Sequence, residues 1–106
     1  MSTVYSKGYY GNQARTTIEQ VVNGQIRVLE ISTMKRSNGK LVTQATSHLD
    51  DGSGFLSYIM FQDYSKTIAS DSVRVTAKAV QTQHESVLAN IASILDDVVA
   101  YYEKAV

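Results

Sequence analysis

The sequence predicts an α+β fold: an antiparallel four- to five-stranded β-meander followed by one long C-terminal amphipathic helix. Two observations lead to this prediction. Runs of β-branched residues are separated by Asn-Gly pairs, and the last quarter of the chain repeats apolar residues at helical spacing. We expect residues 14–106 to form one domain, with the helix packed on the sheet, on a dimer partner, or on both. Residues 1–13 are polar, contain glycine and lack a sustained period, which predicts a flexible or extended N-terminal arm.

The first predicted hairpin joins two strands through an Asn-Gly turn. β-branched residues are dense in residues 15–22, which is typical of a strand. Asn23 and Gly24 follow at once, and both accept the positive φ of a type I′ turn. The second strand is predicted over residues 25–35. Its apolar positions change phase near Val28, and a β-bulge there would explain the change.

A second turn, at residues 37–39, predicts a third strand over residues 40–49. A glycine-containing acidic loop then leads to a fourth strand over residues 55–61. Residues of this strand are apolar on both faces, which is typical of a strand that is covered on both sides. Residues 66–69 or 73–75 could add a short fifth strand.

The C-terminal helix has two candidate starting points. Thr76 is one possible N-cap, and Thr82 with Glu85 matches a capping box. Apolar residues then recur at alternating steps of three and four, which predicts a helix of roughly 22–28 residues. Such a helix exceeds the length of the predicted strands, so we expect it to overhang its sheet and pair with a second copy. The residues expected at this homodimer interface are Val87, Ile91, Ile94, Val98, Tyr101 and Tyr102.

Composition excludes several classes of protein. The chain has no cysteine and no long apolar run, so disulfides, thiolate chemistry and a membrane span are not expected, and we predict a cytoplasmic protein. Ten cations balance ten carboxylates, but residues 1–49 carry six cations against two carboxylates. This asymmetry is typical of a basic binding face opposed by an acidic one.

Catalytic and metal-binding patterns are weak. No serine sits in a glycine-flanked nucleophile elbow. His84 falls on the apolar stripe of the helix, where a packed histidine is more common than a general base. His48 with Asp50 and Asp51 offers fewer nitrogen and sulfur ligands than zinc prefers. We therefore predict no catalytic residue, metal or cofactor, and the pattern favours a binding protein over an enzyme.

Basic and aromatic residues alternate in the N-terminal arm and surround the second hairpin. Single-stranded nucleic acids are held by cations that follow the phosphates and by aromatic rings on which bases stack. The sequence therefore predicts a site for single-stranded nucleic acid. Its predicted residues are Lys7, Tyr9, Tyr10, Arg15, Arg27, Lys35, Arg36 and Lys40.

The stretch from Val28 to Leu49, VLEISTMKRSNGKLVTQATSHL, resembles the long basic central hairpin of the Whirly, Pur-alpha and positive-cofactor-four group of single-stranded nucleic-acid-binding domains. The order of four hairpin-connected strands and one long helix is also similar to that group. The resemblance implies a curved sheet that presents basic and aromatic residues, with helices paired in a dimer. It further implies that Lys35, Arg36 and Lys40 are the matching cations and that Tyr58 is a stacking ring.

Three functions are compatible with these patterns. The first is a dimeric single-stranded nucleic-acid-binding protein. The second is a structural or regulatory protein-interaction module with no nucleic-acid ligand. The third is a small dimeric α+β barrel enzyme or ligand-binding protein, which would need a helix within residues 12–22. Ile18, Val21 and Val22 fit helical as well as strand spacing.

Overall fold

A computed structural model describes residues 2–8, 11–36, 38–49 and 62–104. They form an antiparallel five-stranded sheet in the order β1-β2-β3-β4-β5, followed by two helices. The elements are β1 (Ser2–Gly8), β2 (Gly11–Val22), β3 (Gln25–Lys35), β4 (Leu41–Leu49), β5 (Gln62–Asp71), α1 (Ala77–Leu88) and α2 (Ile91–Lys104). The predicted α+β class and antiparallel sheet are therefore confirmed.

The Asn-Gly turn between β2 and β3 is confirmed. Asn23 has a φ of 52° and Gly24 a φ of 76°, which are the two positive angles of a type I′ turn. The strand that follows the turn, β3, has the predicted bounds. The predicted bulge near Val28 is wrong, because β3 keeps continuous register with both neighbours through that position. Leu29 faces the helices, whereas Val28 lies half-buried on the opposite face, so both phases of the apolar pattern belong to one regular strand.

Residues at the N-terminus belong to the sheet. The predicted arm is extended where the structure describes it, but Ser2–Gly8 pairs along its whole length with β2. The sequence did not predict this strand, because it is short and polar, and because glycines interrupt the alternation of apolar and polar residues near the hairpin. The predicted fourth strand, residues 55–61, lies outside the described residues. The last strand, β5, has ten residues and is longer than the short fifth strand expected from the sequence.

The predicted single helix is wrong: two helices meet at Ala89 and Asn90. Thr76 is the N-cap of α1, and its hydroxyl accepts from the backbone N–H of Ala79 at 3.1 Å. The Asn90 side chain donates to the Ser86 carbonyl at 3.3 Å, whereas the Asn90 backbone N–H donates to the Val87 carbonyl at 3.0 Å. Because this amide competes for a carbonyl that a continuous helix would use internally, it explains the break.

One face of the sheet packs against both helices. Leu29, Ile31 and Ala45 are fully buried at its centre, and Val98 of α2 is also fully buried against this cluster. A second, smaller cluster joins Val80 of α1 to the sheet near the β3–β4 hairpin. Each buried aliphatic side chain of this kind contributes about 1.5–3 kcal/mol to folding. The helices thus follow the sheet from the end where α1 begins to the opposite end.

A buried polar network crosses this apolar interface. His84 is fully buried, and its two ring nitrogens lie 2.7 Å from the Thr16 hydroxyl and 2.8 Å from the Thr33 hydroxyl. Thr16 extends the chain of hydroxyls to Thr3, and Thr33 extends it to Thr43, each at 2.7 Å. This network links α1 to four strands, so it fixes the position of the helix on the sheet.

The neutral form of His84 is favoured by its surroundings. Burial lowers the pKa of His84, and the nearby Glu85 carboxylate opposes this effect only in part. The Tyr5 ring contacts the imidazole edge-on, with centroids 6.1 Å apart. The histidine is therefore a packed core residue that hydrogen-bonds through neighbouring hydroxyls.

Stability should fall as the pH falls below the ordinary histidine pKa, about 6.5. In this range the unfolded chain gains a proton at residue 84 before the folded chain does, so protonation favours unfolding. We expect urea denaturation to show this loss between about pH 7 and pH 5.5, and His84→Gln to flatten it. The control is His48→Gln, which alters the other histidine of the chain. An equal slope in both variants would contradict the assignment to His84.

Candidate nucleic-acid interface

Four of the predicted cations lie at one end of the sheet. Lys7 pairs with Asn12 beside the β1–β2 hairpin, and Lys35 pairs with Leu41 beside the β3–β4 hairpin. The β2–β3 register ends at Ala14 and Thr33, so both hairpins turn at the same end. Arg36 and Lys40 belong to the second hairpin itself. The register thus brings Lys7 to the same end as three cations that lie far from it in the chain.

The β3–β4 hairpin has a defined backbone. The Arg36 N–H donates to the Lys40 carbonyl at 2.9 Å, and the Gly39 N–H donates to the Arg36 carbonyl at 2.9 Å. The Asn38 side chain accepts from the Lys40 N–H at 3.0 Å, and Gly39 has a φ of 82°. The Arg36 guanidinium donates to the Gln44 side chain, whereas the side chains of Lys35 and Lys40 are exposed.

Two further cations, which the sequence did not single out, lie at this end. Leu41 pairs with Asp71, so β5 ends beside the β3–β4 hairpin, and the chain enters α1 from there. Arg74 and Lys78 flank the N-cap Thr76, and both side chains are exposed. In the sequence, both cations lie close to the predicted start of the helix. The strand register is needed to show that this start adjoins the end of the sheet with the β3–β4 hairpin.

We call this region the basic end of the sheet. It contains six of the ten cations of the chain, against two carboxylates among the described residues, Asp71 at the end of β5 and Glu85 beside Tyr5. Its cations are Lys7, Lys35, Arg36, Lys40, Arg74 and Lys78. Because the whole chain is neutral, the rest of the molecule carries an excess of carboxylates. The charge is therefore separated along the strands, which gives an anionic polymer a preferred end.

Two other predicted cations lie away from the basic end. Arg15 Nε lies 3.2 Å from Glu30 Oε1, and the Glu30 side chain is only 9% exposed. The guanidinium of Arg27 lies 4.0 Å from the ring centroid of Tyr102. The structure thus assigns Arg15 to an ion pair on the face opposite the helices and Arg27 to a cation–π contact with α2.

The aromatic part of the predicted site lies outside the described residues. This applies to Tyr9, Tyr10 and Tyr58, and the side chain of Lys7 is likewise not described. Their role as stacking or binding residues stays a prediction. Tyr5 pairs with Ala14 of β2, is 46% exposed and is the described tyrosine that lies nearest the β1–β2 hairpin.

Most of the side chains predicted for a dimer interface pack inside this chain. Four of the six are buried among the residues of the sheet and helices; they are Val87, Ile94, Val98 and Tyr102. Ile91 is half-buried against the same cluster, and Tyr101 is 43% exposed. In this fold the four side chains are mostly covered by their own chain, which differs from the exposed helix stripe expected for a dimer. The homodimer itself stays a prediction.

The structure lacks the early helix that would have favoured the α+β barrel alternative. Residues 12–22 lie in strand β2, so the helix required there is not formed. Within the described ranges, no group of three or more histidine, aspartate or glutamate side chains could hold a metal ion. No helix among the described residues is long and apolar enough to cross a membrane.

Comparison with known proteins identifies no relative of the chain. No protein-family model, no curated protein and no solved structure matches the chain. The resemblance to the Whirly, Pur-alpha and positive-cofactor-four group therefore stays a prediction.

Proposed function

We propose that the protein binds single-stranded nucleic acid at the basic end of the sheet. The observation that supports the proposal is the convergence of two hairpins and the start of α1, which brings six cations to one end of the sheet beside two described carboxylates. Phosphates of a flexible single strand can follow such a cluster, because cations that neutralise them release counterions. The proposal assigns the cytoplasm as its location and requires no catalytic residue, metal or cofactor.

Two features favour a single strand over a duplex. The cations come from separate turns instead of one helix that could enter a major groove. Tyrosines adjoin the β1–β2 hairpin in the sequence, and bases of a single strand can stack on such rings.

Binding of a labelled ~20-nucleotide single strand should be measured by fluorescence anisotropy at several salt concentrations. We expect Lys35→Ala with Lys40→Ala to weaken binding at low salt roughly tenfold and to reduce the slope against log salt by about one unit or more. Arg74→Ala with Lys78→Ala should act in the same direction, which tests the two cations identified only from the fold.

The matched control is Lys66→Ala with Lys104→Ala. Both side chains are exposed and lie away from the basic end, so this pair removes the same charge without altering the proposed site. Equal losses for all three pairs would show that net charge, and not the basic end, determines binding. No binding by the wild-type protein at low salt would overturn the proposal.

A homodimer remains part of the proposal, since two basic ends would raise the effective concentration for one strand. Light scattering at the concentrations used for binding would report the mass. A monomer that binds with the expected salt dependence would remove the dimer and keep the nucleic-acid site.

A further inference from the structure

A groove runs along β5, between this strand and the two helices. It consists of two depressions of about 690 Å³ and about 530 Å³, which share Ala69, Ser86 and Val87 and are therefore continuous. Its floor includes the buried side chains of Tyr64 and Val87. One end of the groove reaches the basic end, where Asp71 and Lys78 line it, and the other end lies beside α2.

The strand beside the groove is the last one of the described sheet. β5 pairs with β4 on one side, and no described strand pairs with its other side. An edge strand presents unpaired backbone N–H and C=O groups, which can accept a strand from another chain. In β-strand addition, these backbone groups supply affinity and an adjacent groove receives alternate side chains.

Bulges limit the part of β5 that could pair regularly. The register with β4 shifts between Thr43 and Gln44 and again between Ser47 and His48. Residues 64–67 lie between these shifts and keep uninterrupted register with β4. Four residues span about 13 Å, so a short segment of a partner would suffice to pair with them.

Charge at the α2 end of the groove favours a basic partner. The Tyr64 hydroxyl donates to Asp97 at 2.5 Å, and Lys66 lies 3.5 Å from the same carboxylate oxygen. These contacts, the tyrosine hydrogen bond foremost, lower the pKa of Asp97, so it is ionised at neutral pH. Asp96 is exposed beside it and also lines the groove. The charges of Lys66 and Lys104 both act on Asp97, whereas Asp96 forms no ion pair with a described residue, which leaves this exposed carboxylate for a basic side chain.

We propose that this groove binds an extended peptide with a lysine or arginine, which pairs with the edge of β5 and directs its basic side chain to Asp96. The small side chains of Ala69, Ser86 and Ser93 leave room beside the strand for alternate residues of the peptide. This is a protein-interaction site, and the residues proposed to hold the basic side chain, at the α2 end of the groove, are not among the cations of the basic end.

The test uses a fluorescein-labelled peptide of about eight residues, the length of an ordinary strand, with alternating threonine and valine and one central lysine. We expect saturable binding to the wild-type protein. N-methyl groups on alternate backbone nitrogens remove the N–H donors on one edge of the peptide. Two such peptides are needed, one methylated at the odd positions and one at the even positions. We expect the peptide whose methylated nitrogens face β5 not to bind.

Protein variants locate the peptide in the groove. Ser93→Trp fills the groove and should weaken binding by at least about tenfold, whereas Ala92→Trp, on an exposed neighbouring position of α2 that does not line the groove, should not. Asp96→Lys should weaken the lysine peptide and spare a peptide with glutamate in place of lysine, with Glu103→Lys as the control.

Three outcomes would overturn the proposal. The peptide fails to bind, both N-methylated peptides bind as well as the parent, or Ser93→Trp and Ala92→Trp behave alike. Lys35→Ala with Lys40→Ala should leave peptide binding unchanged, so failure of the nucleic-acid site is distinguishable from failure of this one.

Discussion

Val98→Asp should prevent folding. The Val98 side chain is fully buried in α2 and packs in the cluster that contains Leu29, Ile31 and Ala45. A carboxylate there loses its hydration and has no cationic partner among the described members of the cluster, which costs several kcal/mol in addition to the lost apolar contact. Because a domain of this size is stabilised by only about 5–15 kcal/mol, one such charge removes most of that stability.

Circular dichroism and urea denaturation would measure the effect of Val98→Asp. The control is Ala92→Asp, because Ala92 is exposed in the first turn of α2, where a carboxylate interacts favourably with the helix dipole. We expect Ala92→Asp to leave the free energy of unfolding within about 0.5 kcal/mol of the wild type. A cooperative melt at the wild-type midpoint for Val98→Asp would contradict the packing of α2.

Local signals in the sequence predicted much of this fold. Asn23 and Gly24 located the first turn, since few residue pairs accept two positive φ angles, and the bounds of β3 followed from it. The helical spacing after Thr76 predicted which residues of the C-terminal region share a face. These features depend on a few adjacent residues, so a single sequence contains them.

Tertiary context determined what local signals could not. Ser2–Gly8 is a strand because β2 is available to pair with it, although its own sequence shows no strong alternation. The helix breaks at Asn90 because one side-chain amide competes with the backbone, an effect that apolar periodicity does not record.

The candidate site also combines residues that local sequence predicts with residues that only the tertiary fold brings together. Lys35, Arg36 and Lys40 were predicted together because they adjoin one turn. Arg74 and Lys78 follow the last strand, and their place at the basic end depends on the pairing of Leu41 with Asp71. Pairing register between distant segments is set by the whole sheet, so charge along the chain alone does not predict this cluster.

The buried threonines also depend on their neighbours. Thr16, Thr33 and Thr43 are fully buried although threonine is usually exposed, because His84 and Gln83 of α1 satisfy their hydroxyls. In the sequence they are ordinary β-branched strand residues. They join a hydrogen-bond network only because α1 packs against them. Polar as well as apolar contacts therefore fix the position of α1 on the sheet.

Thr33→Val is the sharpest test of this network. Valine has nearly the same shape and suits a strand, so packing and strand propensity change little. It removes the hydroxyl that contacts His84 Nδ1 at 2.8 Å and Thr43 at 2.7 Å, both of which are buried. An unsatisfied buried polar group costs about 1–3 kcal/mol, and we expect a loss of this size from urea denaturation.

Thr17→Val is the matched control for Thr33→Val. Thr17 is exposed on β2, where valine leaves no buried group without a partner, and we expect a change within about 0.5 kcal/mol. A double variant, Thr33→Val with His84→Leu, should lose less than the sum of the two single changes, because the histidine nitrogen left unpaired by the first is removed by the second. Strict additivity would mean that Thr33 and His84 do not stabilise each other, and this pair would then not help to hold α1 on the sheet.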